Sequence, residues 1–193
     1  MANKLIRGFN SMVITNMKLA FQKYILRKKI TFSPVHVVSP DTKIEVEKNG
    51  HLNLGKMANI SKSHLTVRSG ATLDIENRVY MNAGVIVTCR EKVVIGENTM
   101  FGPNVLIYDH DHQLGESGAV ERKKFVTKPI IIGKNCWIGA GTTILKGTVI
   151  GDNSTVGAGC VLNGVYPENS VIVQKRETSV IPKYSSTMVG AEA

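Results

Sequence analysis

The sequence predicts an all-β protein, a parallel β-helix with an N-terminal α-helical segment and one long excursion loop. Three observations carry this. An aliphatic residue returns every six positions through most of the chain. Glycine or a small residue holds fixed places around it. Aromatic residues make up only 6% of the 193 residues, so the core is aliphatic, and with 42% apolar residues it is large enough for one packed domain.

The stride is clearest from residue 132, as Ile132, Ile138, Ile144, Ile150, Val156 and Leu162. The next position is glycine at 133, 139, 151 and 157. Two places before each aliphatic come Ile130, Cys136, Thr142, Thr148, Ser154 and Cys160, small in five of the six. Upstream the stride runs as Ile95, Phe101, Ile107, as Val67, Leu73, Val79, Val85, and more loosely as Leu54, Ile60. Six is a multiple of two, so each aliphatic falls on the same side of a strand, whereas a helical period of 3.6 would rotate the stripe away. Short repeats of this kind stack coil upon coil, each burying its neighbour's face. The glycines are expected in tight turns between short strands. The cysteines, Cys89, Cys136 and Cys160, are expected as packing residues in a reduced compartment.

The chain divides into a basic amphipathic helical segment (1–33), the coil (34–173, with its loop at 108–131) and a C-terminal tail (174–193). Residues 3–29 are expected to be helical, with Ile6, Phe9, Val13, Met17, Ala20 and Tyr24 at three- and four-residue steps and Ser33-Pro34 as the stop. The formal net charge is +9, and residues 1–40 hold seven basic side chains with no Asp or Glu, leaving +2 for the rest. A basic surface spread over the whole protein, as nucleic-acid binding would want, is therefore not expected. The helix is expected to cover the end of the coil. A sharper reading has Arg27, Lys28 and Lys29 holding residues 1–30 in peripheral contact with anionic lipid. No apolar run is long enough to span a bilayer and no signal-peptide pattern is present, so a cytoplasmic location is expected, with the inner face of the membrane as a variant of it.

Between Ile107 and Ile132 the stride fails. Residues 109–129 read as a polar loop that opens with Asp109-His110-Asp111-His112 and continues into a Glu-Arg-Lys-Lys run. A loop leaving a rigid scaffold is where function tends to sit.

The Asn135-Cys-Trp-Ile-Gly139 block, the repeats from Ile132 to Leu162 and the Ile95-to-Val105 stretch ahead of the loop resemble the hexapeptide-repeat acyltransferases. Within these the chain resembles the group of galactoside, maltose and capsular-polysaccharide O-acetyltransferases, over about residues 44–173. The resemblance implies a left-handed coil, a homotrimer with each active site in a cleft between neighbouring prisms, and acetyl-CoA as donor along that cleft. It implies a catalytic histidine in the loop after the Pro103-Asn104-Val105 stretch, and an acceptor-binding asparagine thirty residues before it. Thirty before His112 is Asn82; thirty before His110 is Tyr80, which has no amide. His112 is therefore expected as general base, since a histidine near its usual pKa of about 6.5 suits proton removal from an attacking hydroxyl. Asn82, His110 and Asp109 are expected on the acceptor side.

For acetyl-CoA the resemblance implies Trp137, then Ala140, Ala158, Asn163 and Gly164 along the pantetheine arm. The chain departs from the pattern at 162–165 and 174–177, where a lysine for the CoA phosphates is missing from position 164; Lys175 and Arg176 are expected to replace it. The implied reaction is acetylation of a sugar hydroxyl in exopolysaccharide or capsule assembly, with no metal. Two other readings remain open: an N-acetyltransferase on an amino sugar, and a zinc enzyme like the γ-type carbonic anhydrases, with His64, His110 and His112 as ligands.

Overall fold

The computed structural model describes residues 2–175 and 177, with side chains from Phe9 onward. Helix α1 (Ala2–Ala20) leads through a π-helical turn (Phe21–Ile25) into β1 (Lys29–Phe32), β2 (Val37–Val38) and β3 (Lys43–Val46). These three strands are one coil, and each starts one face of a three-faced prism. Face I stacks β1, β4 (His51–Leu54), β7 (Thr72–Ile75), β10, β15, β18 and β21 (Val165–Tyr166); face II stacks β2, β5 (Asn59–Ile60), β8, β11, β16, β19 and β22 (Val171–Ile172); face III stacks β3, β6 (His64–Val67), β9, β12, β17 and β20. The strands that carry the site are β8 (Tyr80–Met81), β9 (Ile86–Cys89), β10 (Lys92–Ile95), β11 (Met100–Phe101), β12 (Leu106–Tyr108), β15 (Ile130–Ile132), β16 (Trp137–Ile138), β17 (Thr143–Leu145), β18 (Val149–Ile150), β19 (Thr155–Val156) and β20 (Val161–Leu162). Every pairing within the faces is parallel, and the whole is a β-solenoid of about six turns.

The six-residue stride is the core. Ile132, Ile138, Ile144, Ile150, Val156 and Leu162 are at most 1% exposed, as are Ile95, Phe101 and Ile107. The small residues two places earlier also point inward: Thr142, Thr148 and Ser154 are fully buried. Their hydroxyls bond coil carbonyls, as Thr142 does to Gly157 at 3.2 Å and Thr148 to Leu162 at 3.1 Å, so no buried polar atom there is left unpaired. All three cysteines are buried, and burial raises the Cys89 and Cys136 thiols above their ordinary range, which fits the packing role.

The repeat glycines do a different job from the one expected of them. Gly133 and Gly139 do not take the left-handed conformation. They sit where successive coils nearly touch: a Cβ on Gly139 would lie 2.5 Å from the Ala158 nitrogen, and one on Gly133 would lie 2.6 Å from the Asp152 nitrogen. The left-handed turn position falls two residues later, to Gly141 and Gly159 at the II/III corner, with φ of 67° and 68°, and to asparagine at the I/II corner. Asn98, Asn135, Asn153 and Asn169 have φ of 62°, 55°, 57° and 59°, and their side-chain amides bond one to the next up the I/II corner. Asparagine tolerates this conformation better than other side chains with a Cβ.

Helical backbone ends at Ile25, short of the expected limit at residue 29. Ile30 is drawn into β1, where it is 2% exposed and pairs with Leu52, so Ser33-Pro34 closes a strand rather than a helix. Helix α1 does cover the end of the coil. Leu19 is buried, and Ser11 and Thr15 donate to the Val38 carbonyl at 2.7 and 2.8 Å, occupying an acceptor on the terminal strand edge. No helix among the described residues is long and apolar enough to cross a membrane.

If coil spacing sets the glycine requirement, Gly139→Ala will lower unfolding free energy by about 1–3 kcal/mol in urea titration. Gly115→Ala, whose added carbon meets nothing closer than 3.4 Å, will change it by less than about 0.5 kcal/mol.

Candidate functional site

The interruption of the coil is a hairpin, not the loop expected for residues 109–129. After β12 the chain forms β13 (His110–Leu114) and β14 (Val120–Thr127), paired antiparallel. Gly118, at φ 77°, helps make the turn, and Arg122, Lys123 and Lys124 bulge out of the ladder between Phe125 and Glu121. The hairpin projects from the III/I corner with most of its residues exposed. It therefore buries no aliphatic row, which is why a six-residue stride could not report it.

Asp109 anchors its base. The carboxylate is fully buried. It accepts from the backbone N–H of Arg90 at 2.8 and 2.9 Å, of Glu91 at 2.7 Å and of Lys92 at 3.1 Å. One coil below, the equivalent groups Arg68 N–H and Thr72 N–H bond the carbonyls of Cys89 and Glu91. Where the chain departs into the hairpin, the Asp109 side chain supplies acceptors that a continuing coil would have supplied from its backbone. Its expected contact with an acceptor is not what the structure gives, because its surface is spent inside the corner.

The same carboxylate faces His110, with Oδ1 3.1 Å from Nδ1. His110 is half-buried between Tyr108 and Phe125. Burial, the largest effect, lowers its pKa below the usual histidine value against the opposing pull of Asp109. His112 is exposed on the hairpin, its ring 4.6 Å from that of Phe125, the residue directly opposite it across the ladder. Its Nδ1 lies 3.3 Å from the Glu121 carbonyl oxygen. A neutral ring donating Nδ1–H there keeps its lone pair on Nε2. Phe125 also carries the Arg90 guanidinium, 3.4 Å from its ring centre. Neither Phe125 nor Arg90 was singled out in the sequence; alternation in the short Phe125–Thr127 run was the only signal for the former. Asp111 forms an ion pair with Lys146, tying the hairpin to the coil above.

The remaining expected residues lie on two corners. Asn82 follows β8 at the II/III corner, and its Oδ1 accepts from the Ala83 N–H at 2.8 Å, which leaves its amide nitrogen to donate elsewhere. Ala140 and Ala158 stack above it on that corner, where Gly159 N–H bonds the Ala140 carbonyl at 2.7 Å. Trp137 stands on face II between Met100 and Thr155 and is 56% exposed, so it is not a packing residue within one chain. Lys175 is exposed and follows Gln174, whose amide bonds both the N–H and the carbonyl of Val161. Asn163 and Gly164 lie instead at the III/I corner with the hairpin, between β20 and β21. Arg176 lies outside the described residues. His64, on β6 (His64–Val67) two coils below the hairpin, faces Glu45 at 3.5 Å, so one chain does not gather it with His110 and His112.

A single chain thus places the expected base and the expected acceptor ligand on different edges of the prism. Face III lies between them.

Residues 129–164 match the family model for the bacterial transferase hexapeptide (six repeats). The chain carries a hexapeptide-repeat transferase domain. Its relatives include a provisionally assigned acetyltransferase of Saccharomyces cerevisiae, 36% identical over 102 residues, 53% of this chain and 52% of that protein. The galactoside O-acetyltransferase of Lactococcus lactis is 29% identical over 144 residues, 72% of this chain and 67% of the other. The provisionally assigned lipopolysaccharide biosynthesis O-acetyl transferase WbbJ of Escherichia coli is 28% identical over 156 residues, 72% and 76% of the two chains. The chain therefore spans about half of the yeast relative and two thirds to three quarters of the bacterial ones. Among solved structures, the fold is shared with a maltose O-acetyltransferase from Clostridium difficile 630, at a TM-score of 0.54, 24% identity, and 88% and 82% coverage of this chain and that one. It is also shared with the Bacillus cereus N-acyltransferase AntD in complex with dTDP-4-amino-4,6-dideoxyglucose and coenzyme A, at a TM-score of 0.64, 14% identity, and 80% and 84% coverage.

Replacing Asp109 by Ala orphans three backbone N–H groups and should lower stability by roughly 3 kcal/mol in chemical denaturation. A lowered His110 pKa means the unfolded chain takes up this proton first as pH falls. The stability it contributes is then present above the unfolded value near 6.5 and lost as pH drops through the folded value. The His110 ring resonance in an NMR titration should accordingly show a midpoint below about 6.5.

Proposed function

We propose that the protein is an acetyl-CoA-dependent O-acetyltransferase acting on a sugar hydroxyl in exopolysaccharide or capsule assembly, with His112 as general base. The observation that carries this is an exposed imidazole on the hairpin of a hexapeptide-repeat transferase coil, with Nδ1 held by the Glu121 carbonyl and Nε2 left to accept a proton. The galactoside and lipopolysaccharide O-acetyltransferase names of its relatives support a saccharide acceptor.

In this reading Nε2 takes the acceptor's hydroxyl proton as the oxygen attacks the thioester carbonyl. A tetrahedral intermediate forms, with its oxyanion met by a backbone N–H. It collapses as the C–S bond breaks, and the imidazolium returns the proton to the departing thiolate, leaving acetylated sugar and free CoA. Phe125 fixes the His112 ring plane, and Asp111–Lys146 holds the hairpin against the coil. Asn82 reaches the acceptor from a neighbouring copy, in a homotrimer whose clefts each join the II/III edge of one prism to the III/I edge of the next. Trp137, Ala140 and Ala158 line the pantetheine arm, where small residues permit close approach and an exposed indole covers apolar chain. Lys175 and Arg176 meet the CoA phosphates. Asn163 and Gly164 lie on the acceptor-side corner, so their contact with CoA is through the partner's edge of the cleft.

A second reading takes His110 as the base, favoured by the buried Asp109 carboxylate on its Nδ1. Thiol release from acetyl-CoA with a saccharide acceptor separates the two. His112→Ala should lower kcat by about 10²–10⁴-fold, while His110→Ala keeps more of the rate. Near-normal turnover by His112→Ala with collapse of His110→Ala would move the base to His110.

A further inference from the structure

The transferase reading leaves the N-terminal segment unused. Helix α1 turns Thr15 and Leu19 to the coil and the opposite stripe to solvent, with Phe9, Val13 and Met17 at 61%, 39% and 69% exposure. The stripe continues through Phe21 and Leu26, both more than half exposed. Met17, Phe21 and Leu26, with Lys18 and Gln22 at its side, line a largely apolar groove of about 450 Å³. Leu26 also lines a second cavity of about 310 Å³, whose walls carry Arg27, Lys28, Lys29 and Lys48. The one acid in that wall, Glu47, is held by Arg68 at 2.5 Å and by the Ser69 N–H at 3.0 Å, so it is already neutralised.

The groove and the basic pocket adjoin at Leu26, and together they match an acyl chain joined to a phosphate headgroup. Nucleic acid would supply the phosphate without the alkyl chain. A second copy meeting the same face would set these cations against their own kind, because residues 1–40 hold seven basic side chains and no acid. We propose that this segment docks on an anionic phospholipid bilayer, with the Phe9–Val13–Met17 stripe and the Met17–Phe21–Leu26 groove in the acyl boundary and headgroup phosphate in the Arg27–Lys48 pocket. Helix α1 then lies flat in the interface, its polar side already bonded to the coil. The proposal is independent of which histidine is the base.

Sedimentation of the full chain with vesicles of phosphatidylcholine, alone or with about 30 mol% phosphatidylglycerol, tests it. Binding should be at least tenfold tighter to the anionic vesicles and weaken as salt rises from about 0.1 to 0.5 M. Arg27→Glu with Lys48→Glu should weaken it by roughly thirtyfold or more. Met17→Glu with Phe21→Glu should weaken it without altering the circular dichroism spectrum. Equal binding to both vesicle types, no binding to either, or binding unchanged by both double variants overturns the proposal. So does displacement of the bound chain by millimolar inorganic phosphate at constant ionic strength, which would make the pocket a free-phosphate site. A smaller oligomer for Met17→Glu/Phe21→Glu with no vesicle binding in the parent chain overturns it in favour of an interface between copies.

Discussion

The buried Asp109 carboxylate is the interaction on which the site depends. A parallel solenoid satisfies each corner N–H with a carbonyl from the coil above, and that supply stops wherever the chain leaves the stack. Here it leaves after β12. Asp109 takes over the donors of Arg90, Glu91 and Lys92 and simultaneously faces His110. The hairpin can therefore leave a close-packed coil without leaving buried donors orphaned. Phe125, returning on β14, completes the arrangement by packing on both histidines and under the Arg90 guanidinium. Rigid coil below, paired strands above and a carboxylate at the junction give two imidazoles defined positions on an otherwise exposed arm.

The stride from Leu54 to Leu162 was legible because burial and period coincide: every residue on it is at most 3% exposed. What escaped is set by other forces. Gly133 and Gly139 are required by neighbouring coils rather than by their own dihedral angles, and a single sequence shows the glycine without the atom it avoids. The asparagine ladder spans residues 98 to 169 and forms only once the coils are stacked in register. The hairpin was hidden because its strands face solvent on both sides and a three-residue bulge breaks their alternation. The helix end was set a few residues too late because residues 26–29 hold no glycine or proline, whereas Arg27 takes a left-handed φ of 52° and Lys29 already pairs with His51 in β1.

At the site, the residue types were legible and their company was not. His110 and His112 stand in a polar run that marked them, but nothing in that run marked Phe125 or Arg90 as their neighbours. Asp109 looked like one more polar residue beside a histidine and is instead a buried part of the scaffold. Trp137 stood out as the single tryptophan of a motif, and its exposure on face II turns the indole away from its own core.

Asn82 and His112 lie on different edges of one prism, so the proposed reaction, which uses both, places its site between two copies, as symmetric oligomers allow. Subunit mixing tests this directly. His112→Ala and Asn82→Ala proteins, each inactive alone, are dissociated, combined in equal amounts and reassembled, and acetyl-CoA thiol release is measured. A site shared between neighbours predicts recovery to about one quarter of the parent rate, the statistical share of clefts that pair an intact His112 with an intact Asn82. No recovery above the two separate variants, with mixed oligomers shown to have formed, would contradict the shared site.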